Sequence, residues 1–135
     1  MTRHALTLQT TAHEQVQDLT LQVRQLVRQS GVAAGLCLVY CPHTTAGLVI
    51  NEGYDPDVAS DVLALLDRLA PWHGPYQHAE GNAAAHAKAI LTGTSQTILV
   101  ENGDLALGTW QALQFYEFDG PRTRTVVVTL MEATS

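Results

Sequence analysis

The hydrophobic and polar positions of this chain change period several times, and each change predicts an element. Leu6, Leu8 and Thr10 alternate with Thr7 and Gln9, which predicts a first strand. From about Glu14 to Gln29 the period lengthens: Val16, Leu19, Val23, Leu26 and Val27 fall on one helical stripe, with Arg24, Arg28 and the glutamines off it. This predicts an amphipathic helix packed on a sheet and ended by Gly31. Gly35 to Cys41 is a nearly continuous apolar run, the pattern of a strand covered on both faces. It breaks at Pro42-His43-Thr44-Thr45-Ala46-Gly47 and resumes as Leu48-Val49-Ile50. Two adjacent strands are expected, with His43, Thr44 and Thr45 at their shared end.

Asp55-Pro56 opens a second helix, Asp as N-cap and Pro at the first helical position, with an apolar face of Val58, Val62, Leu65, Leu66 and Leu69. Pro71 ends it, and Pro71 to Gln77 is an ordered loop. Asn82 is suited to cap a third, alanine-rich helix over Ala83 to Leu91. Further strands are predicted at Thr97 to Val100, Leu113 to Phe118 and Thr125 to Leu130, with a tight turn at Asn102-Gly103. The last two strands should form a closing hairpin around Asp119-Gly120-Pro121. The order is strand, helix, two strands, two helices, then three or four strands. That is an α+β domain on a largely antiparallel sheet, with residues 1–135 as a single unit.

Composition narrows the function. With seven Lys plus Arg and a formal net charge of −6, nucleic acid is not the expected partner, although a local pocket can still take a phosphorylated small molecule. No apolar run approaches a membrane span and the N-terminus lacks a signal peptide's apolar core, so no membrane association and a cytoplasmic location are expected. Cys37 and Cys41, on one strand, would lie roughly 13 Å apart, too far for a disulfide. Buried reduced thiols are expected.

The candidate chemistry gathers at turns. His78-Ala79-Glu80-Gly81-Asn82-Ala83-Ala84-Ala85-His86 puts two histidines and a carboxylate into nine residues, beside the free N–H groups of a helix start. Together with His43, three imidazoles plus a water would suit zinc or a similar divalent ion. His4 and His13 lie in ordinary amphipathic context, and His73 is intermediate, since burial by Trp72 and Tyr76 competes with a ligand role. Glu80 is a ligand, a partner orienting a histidine, or a solvated loop acid. Glu52, with no evident structural task, is the candidate general base. Thr92, Thr94, Ser95 and Thr109, at glycine turns, are small donors of the kind that hold phosphate oxygens; ordinary turn chemistry is the competing reading.

Taken together, Pro42-His43-Thr44-Thr45-Ala46-Gly47, Asn51-Glu52, Asp55-Pro56-Asp57, His78-Ala79-Glu80-Gly81-Asn82 with His86, Leu91-Thr92-Gly93 and Gly108-Thr109-Trp110-Gln111 occur in an order that closely resembles the YjbQ-like family over essentially the whole chain. The resemblance implies an α+β fold with a β-sandwich-like core and three helices, assembled as a homotrimer. It implies a site where His43, His78 and His86 converge around a metal, zinc first with magnesium or manganese as alternatives, between subunits. The activity attributed to the family is secondary thiamine-phosphate synthesis, in which a hydroxymethylpyrimidine diphosphate joins a thiazole phosphate with release of pyrophosphate. On that reading Glu52 or Glu80 moves a proton or orients a ligand, and Thr44, Thr45, Asn82, Thr92, Ser95 and Thr109 hold substrate or phosphate. The alternatives are a non-catalytic trimeric module that sequesters a metal or metabolite, and a metal-dependent phosphate-ester hydrolase. Two positions depart from the family pattern: Asp104 stands where relatives often carry a basic residue, and Ala112 where Gly is common.

Overall fold

The computed structural model describes residues 1–134, and its strands form two antiparallel sheets. In chain order the elements are β1 (Thr2–Gln9), β2 (Gln15–Asp18), α1 (Thr20–Ser30), β3 (Gly35–Tyr40), β4 (Ala46–Glu52), α2 (Pro56–Leu69), α3 (Ala83–Thr92), β5 (Ser95–Glu101), β6 (Asp104–Leu105), β7 (Gln111–Glu117) and β8 (Thr123–Glu132). One sheet has the order β1-β8-β3-β5-β6 and the other β2-β7-β4. This is the expected α+β, sandwich-like architecture with three helices.

Strand alternation builds the layers. Leu113 and Phe115 of β7 point toward the five-stranded sheet and meet the core of Cys37, Val39, Val126, Val128 and Leu130, all buried. Tyr116 and Phe118, on the opposite parity, pack on Ala85 of α3, with Val62, Leu63 and Leu66 of α2 and Trp72 around them. The three-stranded sheet is thus buried on both faces, and β7 is apolar almost throughout for that reason.

Three expectations are corrected. Gln15–Asp18 is a strand, because its backbone pairs with Gln114–Glu117 of β7. The helix begins only at Thr20, whose N–H donates to the Asp18 carboxylate at 2.8 Å. Leu19, Val23 and Val27 keep the buried stripe, while Val16 joins the other cluster. Second, β3 and β4 are neighbours in sequence but lie in different sheets, and so do β7 and β8; the expected closing hairpin is a crossover between layers. Third, α2 has no fully buried residue, and Leu65 and Leu69 are exposed rather than part of its packed face.

The end of α1, the start of α2 and the tight turn at Asn102-Gly103 behave as read. Gly31 takes a left-handed conformation at the end of α1, and Asn102 and Gly103 do so between β5 and β6. The Asp55 carboxylate accepts from the Asp57 N–H at 2.9 Å ahead of Pro56. Asp55→Ala should therefore cost about 1 kcal/mol, read as a lower urea midpoint with an unchanged slope. Ala84, Ala85 and Ala89 let α3 lie close on β4, where a Cβ on Gly47 would overlap the Thr92 hydroxyl. Lys88 is buried there between Glu14, at 2.7 Å, and Asp67, at 3.0 Å. Among the described residues no helix is long and apolar enough to cross a membrane.

Candidate functional site

The two crossovers meet at one end of the sandwich. Residues 41–45 leave β3 for the smaller sheet, and residues 118–122 carry the chain from β7 back to the larger one. The Phe118 N–H donates to the Thr45 carbonyl at 3.1 Å, which ties them together. The start of α3 closes the third side, where the Asn82 amide donates to Asp119 at 3.0 Å. Between them lies a cavity of about 440 Å³ bordered by His43, Thr44, Thr45, His78, Glu80, Asn82, His86, Asp119, Arg122 and Arg124. Chain segments far apart in sequence converge on the three histidines singled out above.

Each histidine is held differently. A carbonyl only accepts, so the contact of His86 Nδ1 with the Thr44 carbonyl at 3.1 Å fixes the proton on Nδ1 and leaves the Nε2 lone pair free. The His78 ring stands edge-to-face to His86, with centroids 5.2 Å apart. His78 Nε2 lies 4.0 Å from the Glu80 carboxylate. His43 Nε2 lies 3.1 Å from the Thr125 carbonyl and 3.0 Å from its N–H, so one backbone residue serves whichever tautomer is present. Burial holds the His43 pKa below the usual imidazole value, and the Arg124 charge adds to that. Both effects favour the neutral imidazole.

The floor of the cavity is an ion pair that the sequence reading missed. Arg124 and Glu117 are both buried, and the guanidinium is hydrogen-bonded through Nε and Nη2 to the two oxygens of the carboxylate. Arg124 Nη2 also donates to Thr45 Oγ1 at 2.8 Å, while Glu117 accepts from the Thr10 hydroxyl at 2.8 Å and the Asp119 N–H at 3.0 Å. Among the described residues nothing accepts from Arg124 Nη1, which leaves donors for the cavity that Arg124 borders. Arg122 adds a second cation, paired with Asp119 at 3.0 Å. The signal was parity: Arg124 occupies the same face of β8 as Val126, Val128 and Leu130, a row aimed at the core.

Several expected site residues are elsewhere. Glu52 accepts from the Tyr54 and Asp55 N–H groups and so caps a turn at the far end of β4. Thr92 Oγ1 donates to the Lys88 carbonyl, at 3.0 Å, within its own helix. Ser95 begins β5 and Thr109 borders a different cavity; neither of them reaches the histidines. Asn82 is in place at the helix start, but its side chain does not cap α3; it turns to Asp119 instead. Asp104 is paired with Arg24 and Arg28, at 2.9 and 3.1 Å, on β6 and away from this cavity. Ala112 lies against Gly53. The two cysteines are free and buried, and burial pushes the Cys37 thiol up to about 11 and raises that of Cys41.

The fit to a metal is partial. Two imidazoles bound tetrahedrally to one ion at about 2.0–2.1 Å have centroids roughly 5 Å apart, which His78 and His86 satisfy. Among the described residues, however, no three His, Cys, Asp or Glu side chains are gathered closely enough to hold an ion.

Comparison with known proteins gives one answer throughout. Residues 4–133 match the family described as UPF0047 protein YjbQ-like. The chain is 49% identical over 127 residues to the UPF0047 protein YugU of Bacillus subtilis, covering 93% of this chain and 96% of that one. It is 42% identical over 124 residues to a UPF0047 protein of Methanocaldococcus jannaschii, covering 92% and 90%. The crystal structure of a YjbQ/UPF0047 family protein from Clostridium acetobutylicum superposes with a TM-score of 0.93 at 51% identity, over 95% of this chain and 99% of that one. The structure of the hypothetical protein APE1520 from Aeropyrum pernix does so at 0.94 and 37% identity, over 98% and 100%. These names give a family and no reaction.

Proposed function

Since the chain belongs to the YjbQ-like UPF0047 family, we propose that its histidine cavity binds phosphorylated small molecules and carries out a metal-assisted reaction on them. The observation behind this is Arg124: a buried guanidinium, locked by Glu117, with Nη1 uncommitted beside His43, His78 and His86. A fixed, partly desolvated cation binds an anionic oxygen more strongly than a solvated one, because less water must be displaced and less side-chain freedom lost. Arg122 and the hydroxyls of Thr44 and Thr45 stand at the same wall. His43, whose surroundings favour the neutral imidazole, can accept a proton from the bound molecule through Nδ1. Glu80, whose carboxylate lies 4.0 Å from His78 Nε2, would orient that ring if the two close to hydrogen-bond distance.

A divalent ion on His78 and His86, zinc first and magnesium or manganese second, would neutralise charge on a diphosphate. Its coordination would be completed by His43 through Nδ1, in which case His43 takes no proton, or by a neighbouring subunit, in which case His43 stays free as the base. The homotrimer that the family resemblance implies would also cover Leu36, Leu38, Tyr40, Leu99 and Met131, which are exposed on the outer face of the five-stranded sheet. Thiamine-phosphate synthesis in the cytoplasm is the named candidate reaction. A non-catalytic binding module is the second reading, and it predicts ligand-induced stabilisation without turnover.

The test is calorimetric titration with pyrophosphate, followed by an assay for pyrophosphate release from a hydroxymethylpyrimidine diphosphate with a thiazole phosphate. Arg124→Lys keeps the charge beside Glu117 but has no planar fork to extend into the cavity. It should keep the fold at reduced stability and bind pyrophosphate roughly tenfold more weakly. Absence of pyrophosphate binding in the metal-replete wild type would sink the proposal; binding without turnover would select the second reading.

A further inference from the structure

A second cavity, of about 480 Å³, lies at the other end of β4 from the histidines, roughly 20 Å along the strand. It is bordered by Gly53 and Tyr54 and by Gly108, Thr109 and Gln111, from two sequence motifs that the histidine cavity does not use, Asn51-Glu52-Gly53-Tyr54 and Gly108-Thr109-Trp110-Gln111. Each motif is braced by its own side chain. Glu52 accepts from the N–H groups of Tyr54 and Asp55, and Gln111 Oε1 accepts from the Gly108 N–H at 2.8 Å. The two are then latched: the Gly53 N–H donates to the Trp110 carbonyl at 3.0 Å, and a Cβ on Gly53 would overlap the Ala112 methyl.

All this bracing holds two aromatic rings in water. Tyr54 and Trp110 meet edge-to-face, centroids 5.3 Å apart, although they are 70% and 63% exposed. They add little to the core, so their fixed placement has no explanation within the fold. Tyr54 walls the cavity, and polar groups with spare capacity face it. Asp18 uses Oδ1 on the Thr20 N–H and has no partner for Oδ2 among the described residues. Arg24 uses only Nη1, on the Leu105 carbonyl and Asp104. The Thr109 hydroxyl has no partner among the described residues.

We infer that this second cavity binds a small planar heteroaromatic molecule, its ring against Tyr54 and its edge presenting a donor to Asp18 and an acceptor to Arg24. The volume falls in the range of small-molecule sites, about 300–1,000 Å³, and an aromatic wall with a few convergent polar groups is their usual lining. A purely apolar partner would leave Asp18 and Arg24 unmatched, and a simple anion would leave the rings unused.

The test uses nicotinamide and cytosine as probes, with cyclohexanecarboxamide as the non-aromatic control. The chain has two tryptophans, so the indole N–H signals of Trp72 and Trp110 can be assigned from Trp110→Phe. At millimolar probe the Trp110 signal should shift saturably while that of Trp72 stays still. Tyr54→Ala and Arg24→Gln should each weaken this response several-fold, and His78→Ala should leave it unchanged, which separates this cavity from the histidine one. The inference is overturned if neither probe shifts Trp110, or if the control does so equally. It is also overturned if Trp110 shifts on protein dilution alone, because a second copy then covers the rings.

Discussion

Arg124→Met is expected to lower the free energy of unfolding by about 3–5 kcal/mol, the cost of leaving a buried charge without its partner. Glu117 is fully buried, and its two oxygens are spread over Arg124, Thr10 and the Asp119 N–H. Without the guanidinium, two neutral donors remain to hold a carboxylate cut off from water. The double variant Glu117→Met, Arg124→Met removes both charges and should regain much of the loss, which a pairwise cycle of urea midpoints would read. Acid behaviour supplies a second readout. Burial pushes the Glu117 pKa up, but the Arg124 and Asp119 donors and the Thr10 hydroxyl outweigh it and hold the carboxyl below its ordinary value. A carboxyl with a depressed folded pKa contributes stability above its unfolded pKa and loses it as pH falls through the folded one. The wild type should therefore lose stability steadily below the ordinary carboxylate range, and the double variant should lose less over the same window. Equal slopes in both proteins would show that other carboxylates dominate acid unfolding.

The same pair marks where the sequence stopped being readable. Pro42-His43-Thr44-Thr45 stood out as a polar break between apolar runs, and His78-Ala79-Glu80-Gly81-Asn82 with His86 as two histidines and a carboxylate within nine residues; the structure brings both to one cavity. Arg124 and Glu117 sit inside strands, where a charged residue in an alternating pattern reads as solvent-facing. Their inward direction follows only from the parity of β7 and β8 combined with the knowledge that two sheets face each other. Sheet membership was illegible for a related reason. Short connections usually join neighbours within a sheet, so both 41–45 and 118–122 suggested hairpins. Here they are crossovers, anchored by Thr45, and by Gly120 donating to the His13 carbonyl at 2.9 Å. Those crossovers place His43 beside Arg124, so the features hardest to read are the ones that assemble the site. Glu52 is the opposite case: a carboxylate with no evident structural task in the sequence is capping a turn.

Zinc binding should separate the roles of the three histidines. Wild-type protein purified without a polyhistidine tag and incubated with zinc is expected to retain the ion on elemental analysis, and His86→Ala to lose it. The argument rests on His86, whose Nδ1 proton is committed to the Thr44 carbonyl and whose Nε2 is therefore a ready ligand. His78, edge-to-face at 5.2 Å, is the natural second donor, and His78→Ala should lose the ion as well. Each loss should exceed the roughly 10–100-fold in affinity that removing an outer partner of a ligand costs. His43 is the informative case. Its Nε2 is held by the Thr125 backbone, so it can ligate only through Nδ1, and only with the Nε2 proton donated to the Thr125 carbonyl. If His43→Ala loses zinc as fully as the other two variants, all three imidazoles serve one ion. If it retains zinc but no longer supports turnover, His43 is the acid–base group beside a two-histidine metal site. Wild-type protein that retains neither zinc nor manganese removes the metal from the proposal. Arg124, Arg122 and the histidines would then stand as a phosphate site on their own, and pyrophosphate binding tests that directly.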